Sequence, residues 1–379
     1  MPTPFTISVS DSDLDDLLAR VRNSRFTTAS SPLPWAGGTD PDYLRALVRY
    51  WSTEFDWRTH ESRLNQLPQF TAQVNGCRIH FLHITAAERP GRPPARAIVL
   101  AHGWPSCFVE MLALADRLAH PARYGSEAEA FDVVIPTLPG FLFSELPNGP
   151  LTRAAIAGLI TELLVEELGY ESFGYFGGDI GGVVGASIAA ANPRRVIGLH
   201  QIHPSFPDSF AQPPLTDEER SFLASEESYD VTDGGYSAIM GTRPDTVAAA
   251  LIDSPIGLAA WIVDKYRDWS DCDGDLATRF DFDTILEIVT LYWITGSIGT
   301  SFRQYLDYPA NEARGPVNVP VAVTLSAEPA ISGMPRSIAE RAFTDLRIWS
   351  TPNRGGHFLA HEEPELAASE IRSFFSTLH

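Results

Sequence analysis

Residues 171–193 read ESFGYFGGDIGGVVGASIAAANP, and the order of residue types in this stretch decides the architecture. The run up to Gly177 is short and apolar, as suits a strand buried on both faces. From Ile180 onward the small residues read as a helix that closes at Asn192-Pro193. Between the two stands Gly177-Gly178-Asp179-Ile180-Gly181, the pattern G-x-Nu-x-G with aspartate at its centre. Small neighbours are required there because a sharp strand-to-helix turn brings backbones together. The N-terminus of the following helix favours an anion at the turn. Read alone, the same residues also describe an ordinary turn with Asp179 as helix N-cap. Ser187 is no rival nucleophile, since it falls inside the helix and lacks the second glycine.

Working outward, ARAIVLAHG (95–103), FDVVIPTLPG (131–140) and RVIGLHQIH (195–203) are further strand candidates that end in turn residues. Strand periodicity returns in VPVAVTLSA (319–327) and LRIWS (346–350), and PELAASEIRSFFSTL (364–378) is an amphipathic helix. This alternation predicts a doubly wound, mostly parallel sheet. Upstream, DSDLDDLLARVRNSRF and DPDYLRALVRYWSTEF have helical spacing. FTAQVNGCRIHFLHI reads as two strands around Asn75-Gly76, a pair able to adopt the positive φ of a tight hairpin turn. The stretch 206–312 is helical, irregular and rich in Trp, Tyr, Asp and Ser. The expected organisation is an N-terminal extension (1–92), a first core part (93–205), a helical cap (206–312) and a second core part (313–379).

Composition narrows the function. The 379 residues include 48 acids against 28 lysines and arginines, a formal charge of -20. Nucleic acids and anionic membranes demand clustered positive charge, so neither is expected as a partner. Basic charge is nearly all arginine, with Lys265 as the sole lysine, a usage that fits a GC-rich bacterial coding sequence. Cys77, Cys107 and Cys272 are scattered and odd in number, which suggests neither a disulfide framework nor a thiolate zinc site. The acidic N-terminus has no apolar run long enough for a signal peptide or a membrane span. A soluble, cytoplasmic protein is expected.

Three more pieces join Asp179. His102-Gly103-Trp104-Pro105 follows the first core strand, where a loop N–H can enter an oxyanion hole. Glu328 follows the strand 319–327, and His357 stands in Arg354-Gly355-Gly356-His357-Phe358 before the last helix. The order Asp179, Glu328, His357 is the nucleophile, acid, histidine order of the α/β-hydrolase fold. Other motifs carry less. His357 and His361 have metal-ligand spacing but no third ligand. Asp271-Cys272-Asp273-Gly274-Asp275 hints at a calcium loop, but its glycine is misplaced and Phe282 stands where the bidentate glutamate belongs, so a solvated acidic turn is expected. His102 is expected to orient its own turn, and His200 and His203 receive no role.

Taken together, these motifs resemble the microsomal and juvenile-hormone type epoxide hydrolases and their soluble bacterial members, over nearly the whole length. The resemblance is carried by TDPDYLRALVRYWSTEFDWRTHESRLNQLPQF, AHGWP, PTLPGF, GGDIGG and RGGHFLAHEEPELAASEIRSFF. In the cap it is carried by GTRPDTVAAALIDSPIGLAAWIVDKY and LYWITGSIGTSFRQYLDY. It implies an α/β-hydrolase fold with a helical cap insertion and an N-terminal extension. It implies Asp179 as nucleophile, His357 as base, Glu328 as its orienting acid, and Tyr236 and Tyr305 as acids that hold the epoxide oxygen. The backbone N–H groups of Trp104 and Ile180 would form the oxyanion hole, and Trp104 and Phe141 would contact substrate. Ile180 departs from the tryptophan that many members place after the nucleophile, and the membrane anchor of the animal enzymes is expected to be absent.

The chemistry suits aspartate. Attack on a saturated carbon by serine would leave an ether, whereas aspartate leaves an ester that water can cleave. The substrates would be a small-molecule epoxide and water, the product a vicinal diol, with no metal or organic cofactor. A homodimer is a further implication of the resemblance; detoxification and a step in natural-product biosynthesis are both open, with the arginine-rich bacterial usage favouring the second. Rival readings are a haloalkane dehalogenase-like hydrolase, which needs N–H donors rather than acids for the leaving halide, and an inactive relative that kept the pocket. A serine esterase is disfavoured, because no G-x-S-x-G accompanies the fold.

Overall fold

The computed structural model describes residues 1–86 and 94–378. One nine-stranded sheet runs through it: β1 (Thr3–Pro4), β2 (Gln69–Val74), β3 (Cys77–Ile84), β4 (Arg96–Ala101), β5 (Phe131–Pro136), β6 (Phe173–Gly177), β7 (Val196–Gln201), β8 (Val321–Thr324) and β9 (Leu346–Ser350). Their order across the sheet is β1-β2-β3-β5-β4-β6-β7-β8-β9. The pairs from β5 to β9 are parallel, and those joining β1, β2, β3 and β5 are antiparallel. This is the α/β-hydrolase sheet, with the mostly parallel, doubly wound character that the sequence implies. In β4, Ile98, Val99 and Leu100 are wholly buried, and each such side chain is worth roughly 1.5–3 kcal/mol of transfer free energy.

The hairpin turns at Asn75 (φ 49°) and Gly76 (φ 78°) as its sequence requires. It does more than precede the core, because β3 pairs with β5 inside the main sheet. The expected boundary at 92/93 lies outside the described residues, and the sheet continues on both sides of it. The short edge strand β1 has no sequence signal of its own and exists by pairing with Phe70 and Thr71.

Between β7 and β8 the chain forms a run of helices, from Asp217–Asp233 to Arg303–Leu306. Their starts are locally coded: Thr216 and Glu219 form a reciprocal capping box, and Ser254 and Asp281 cap the helices that follow them. The N-terminal segment also grips this helical layer. Arg20 pairs with Asp253 at 2.6 Å, Thr39 donates to the Ala260 carbonyl at 2.7 Å, and Arg63 and His60 meet the buried Glu287. The first 84 residues therefore contribute both to the sheet edge and to holding the cap. Among the described residues, no single helix is long and apolar enough to cross a membrane.

Candidate active site

Asp179 opens the helix Asp179–Ala191 directly after β6, with φ 49°. A non-glycine residue in the left-handed region is uncommon and needs surroundings that hold it there. Gly181 supplies one condition, since a Cβ on it would fall 2.3 Å from the Ala101 carbonyl oxygen of β4. His203 supplies another, as its Nδ1 accepts the backbone N–H of Asp179 at 2.9 Å. The turn thereby presents the carboxylate at the carboxyl ends of the parallel strands, where sites in such sheets lie.

The HGWP loop reaches the same carboxylate. The Trp104 N–H donates to Asp179 Oδ1 at 2.9 Å. His102 fixes that loop: its Nε2 accepts from the Leu138 N–H at 3.2 Å, which leaves Nδ1 to donate to the Gly103 carbonyl at 3.1 Å. It is buried and orients backbone, as its sequence position suggested. Two cap tyrosines tie down the next turn of the loop, with Tyr266 donating to Ser106 Oγ at 3.0 Å and Tyr292 to the Ser106 carbonyl at 2.8 Å. Ile180 lines the cavity over Asp179, and its N–H lies in the first turn of its helix, where no intrahelical acceptor exists.

His357 lies on the far side. Its Nδ1 is 2.8 Å from Glu328 Oε2, and its Nε2 is 4.0 Å from Asp179 Oδ2, beyond direct hydrogen-bond reach. The glycines before it allow a close approach to the cap: a Cβ on Gly356 would stand 2.5 Å from the Trp269 carbonyl oxygen, and the His357 N–H donates to that oxygen at 2.8 Å. The acidic turn completes the clamp. Asp271 accepts from the Gly355 N–H at 2.9 Å and pairs with Arg279 at 2.7 Å, so it is a tether between cap and histidine loop rather than a solvated residue.

Charge sets the protonation states. Burial works against a proton on His357, but the charge and hydrogen bond of Glu328, with Asp179 and Glu110 adding to them, hold its pKa up to about 9. Burial alone would raise Glu328; the facing His357 and His203 outweigh it and keep this carboxyl well below its usual range. Tyr236 and Tyr305 line the cavity with Asp179, and burial together with the nearby Asp179 charge raises both phenols above their ordinary value. Tyr236 stacks on Trp104 with centroids 5.3 Å apart, and Tyr305 meets Tyr236 edge-on at 6.1 Å.

Some expectations need correction. Phe141 does not line the cavity of about 690 Å³ above Asp179; its ring is buried against His102 and Tyr292. The Trp104 side chain is also wholly buried, packed behind Tyr236, Tyr305 and Trp269, so its backbone rather than its indole reaches the site. His361, which shares metal-ligand spacing with His357 in the sequence, packs on Phe280. The sequence reading missed two residues. His203 stacks on His357 at 4.3 Å, with Nε2 2.7 Å from Glu328 Oε2 in a contact that is not aligned as a hydrogen bond. Its position just past a strand end was the available signal. Glu110 is buried, and burial pushes its carboxyl up to about 8 against the opposing pull of His357 and Ser106. His203, Glu328 and His357 are grouped closely enough to resemble a metal set, but Glu328 Oε2 already faces both rings.

Comparison with known proteins finds relatives over nearly the whole chain. The family profile described as epoxide hydrolase N terminus matches residues 2–111, and that of the alpha/beta hydrolase fold matches residues 96–226. Epoxide hydrolase 1 of Sus scrofa is 32% identical over 99% of this chain and 88% of its own length. A Stigmatella aurantiaca protein with a provisional epoxide hydrolase name is 37% identical over 99% of this chain and 85% of its own. The chain belongs to the epoxide hydrolase family. Among solved structures, the juvenile hormone epoxide hydrolase of Bombyx mori superposes with a TM-score of 0.87, at 28% identity, over 100% of this chain and 94% of that one. The epoxide hydrolase of Aspergillus niger gives 0.85 at 30% identity, over 100% and 97%.

Proposed function

We propose that this epoxide hydrolase family member converts an epoxide and water to a vicinal diol through an ester on Asp179. The observation that carries the proposal is the single carboxylate held between a backbone donor (Trp104 N–H, 2.9 Å), a histidine (His357 Nε2, 4.0 Å) and a cavity lined by two tyrosines. A carboxylate oxygen attacks an epoxide carbon, the carbon–oxygen bond breaks, and the alkoxide takes a proton from Tyr236 or Tyr305. Phenols with raised pKa values stay protonated and donate through the neutral pH range.

In the second step a water adds to the Asp179 ester carbonyl while His357 takes its proton. The oxyanion that forms is stabilised by the Trp104 N–H, with the Ile180 N–H as its partner; on collapse the departing diol alkoxide takes the proton from His357, and the proton of the regenerated Asp179 carboxyl returns to the tyrosinate. Esterification helps this step, because it removes the Asp179 charge that helps hold a proton on His357. The three buried, unpaired cysteines support a reducing, cytoplasmic setting.

A single turnover in heavy-oxygen water tests the scheme. The label is expected in the Asp179 carboxylate and not in the first diol released. Label appearing directly in that diol would mean that water attacks the epoxide itself, and the covalent reading would fall.

A further inference from the structure

The cavity above Asp179 is also lined by two arginines, Arg153 and Arg314. Several arginines of this acidic chain meet carboxylates, as Arg20, Arg58, Arg279 and Arg341 do. Among the described residues, neither Arg153 nor Arg314 lies within ion-pair distance of a carboxylate. The Arg314 guanidinium is largely buried; its Nη2 donates to the Phe206 carbonyl at 2.9 Å, and its Nη1 is buried without an acceptor. Arg153 lies over the ring of Tyr308, 4.7 Å from its centroid, and its charge acts against that of Arg314. Asp208 attracts Arg314 from a distance, but its carboxylate already accepts the Gly315 N–H at 2.8 Å.

Two crowded cations, one desolvated and short of an acceptor, are a costly arrangement that an oxyanion between them would relieve. A guanidinium fork matches the two oxygens of a carboxylate. Ile180, Val183 and Phe206 line the same cavity and provide apolar wall in addition to the two charged ends. We infer that the preferred substrate is an epoxide bearing an oxyanion, a carboxylate in the simplest case, which Arg153 and Arg314 hold while the oxirane faces Asp179. The inference rests on the epoxide-opening reading of this cavity. Asp208 and Glu312 line the same cavity, so selection of an anion rests on the unfilled Arg314 donor and not on net positive charge.

The test uses the full chain and a matched pair of aryl epoxides, one carrying a carboxylate and one the corresponding carboxamide. For the wild type, kcat/KM is expected to favour the carboxylate by about tenfold or more, the size of a charge-assisted hydrogen bond. Added salt should shrink that ratio. The double variant R153Q/R314Q should collapse it towards one, while the amide that replaces the Arg314 guanidinium can still donate to the Phe206 carbonyl. Equal use of the two substrates by the wild type, or an unchanged ratio in the double variant, would overturn the inference. Calorimetric titration of Asp179→Asn with both compounds separates the two readings. Tighter binding of the carboxylate, with neither compound hydrolysed by the wild type, would remove the epoxide reading and keep the anion site. Equal binding would remove the anion site.

Discussion

On the sheet side of the cavity, position is set by hydrogen bonds at the ends of parallel strands. Asp179 is held through its backbone by His203 and through its carboxylate by Trp104, and His357 is held by Glu328, all at 2.8–2.9 Å. On the cap side, Tyr236 is placed chiefly by rings. It stacks on Trp104, meets Trp269 edge-on at 5.2 Å, and has the Lys265 ammonium 5.0 Å from its ring centroid. Hydrogen bonds fix direction sharply, whereas ring packing leaves a hydroxyl free to follow a moving oxygen. The difference suits two steps that ask for different things. In the proposed reaction water must meet the ester along one line, whereas the epoxide oxygen travels as its bond breaks. If this is right, damage to the two walls should stop the reaction on opposite sides of one intermediate.

The largest effect is expected from the sheet wall. His357→Gln should still form the Asp179 ester and then fail to hydrolyse it, lowering steady-state turnover by about ten-thousand-fold to a millionfold, the range seen when a triad member is lost. Rapid quench and intact-mass measurement should show the protein carrying the mass of one epoxide. Absence of that adduct would break the assignment of His357 to the second step. The cap wall should fail earlier. Tyr236→Phe with Tyr305→Phe should slow ester formation by about a hundredfold to ten-thousand-fold, the usual range for general acid catalysis, with no adduct accumulating. Each single variant should lose less, since the two phenols share one cavity and interact with one another. An adduct that builds up in the double variant would erase the distinction between the walls.

A smaller effect should come from His203. Its Nδ1 accepts the Asp179 N–H, so the ring proton sits on Nε2, facing Glu328. His203→Ala leaves that buried N–H without an acceptor at a strained backbone position, and kcat should fall by about tenfold. His203→Asn places an oxygen near the Nδ1 position and should recover most of the loss. Equal losses in both variants would point to ring stacking on His357 rather than to the acceptor.

How much of this could be read from the sequence differs between the same two walls. The strand-turn-helix around Asp179 and the glycines before His357 are local patterns with local physical causes, so they were legible. The hairpin at Asn75-Gly76 was legible too, but its entry into the main sheet was not, because pairing with β5 depends on contacts some fifty residues away. Tyr236 and Tyr305 could be singled out only through resemblance, since nothing local separates them from the other tyrosines of the chain. Phe141 was misplaced for the same reason: a ring beside a conspicuous turn can face the core or the cavity, and spacing does not decide which. His203 and Glu110 matter through what folds onto them, and a single residue type carries no trace of that.

Glu110 gives the mildest and most specific contrast. Burial pushes its carboxyl up to about 8, so near pH 7 it is mostly neutral, and Glu110→Gln is then close to an isostere in both shape and charge. Turnover at pH 7 should change by less than about twofold, because no charge is lost there. Above pH 8 the two proteins should part. The wild type gains a negative charge at Glu110 that helps hold the proton on His357, whose pKa is raised from its ordinary 6.5 to about 9. The sign follows from linkage: a raised histidine pKa contributes stability that is complete below about 6.5 and fades as pH climbs through about 9. Without the Glu110 charge, His357 in the variant should lose its proton at lower pH, whereas the stability that the wild type loses as pH climbs from about 4.5 through about 8 to ionise the buried Glu110 has no counterpart in the variant. Imidazole titration by NMR, run beside thermal melts from about pH 4.5 to pH 10, would show both differences. A large loss of activity already at pH 7 would instead mean that Glu110 works as a charged group, with a carboxyl pKa far below the value its burial implies.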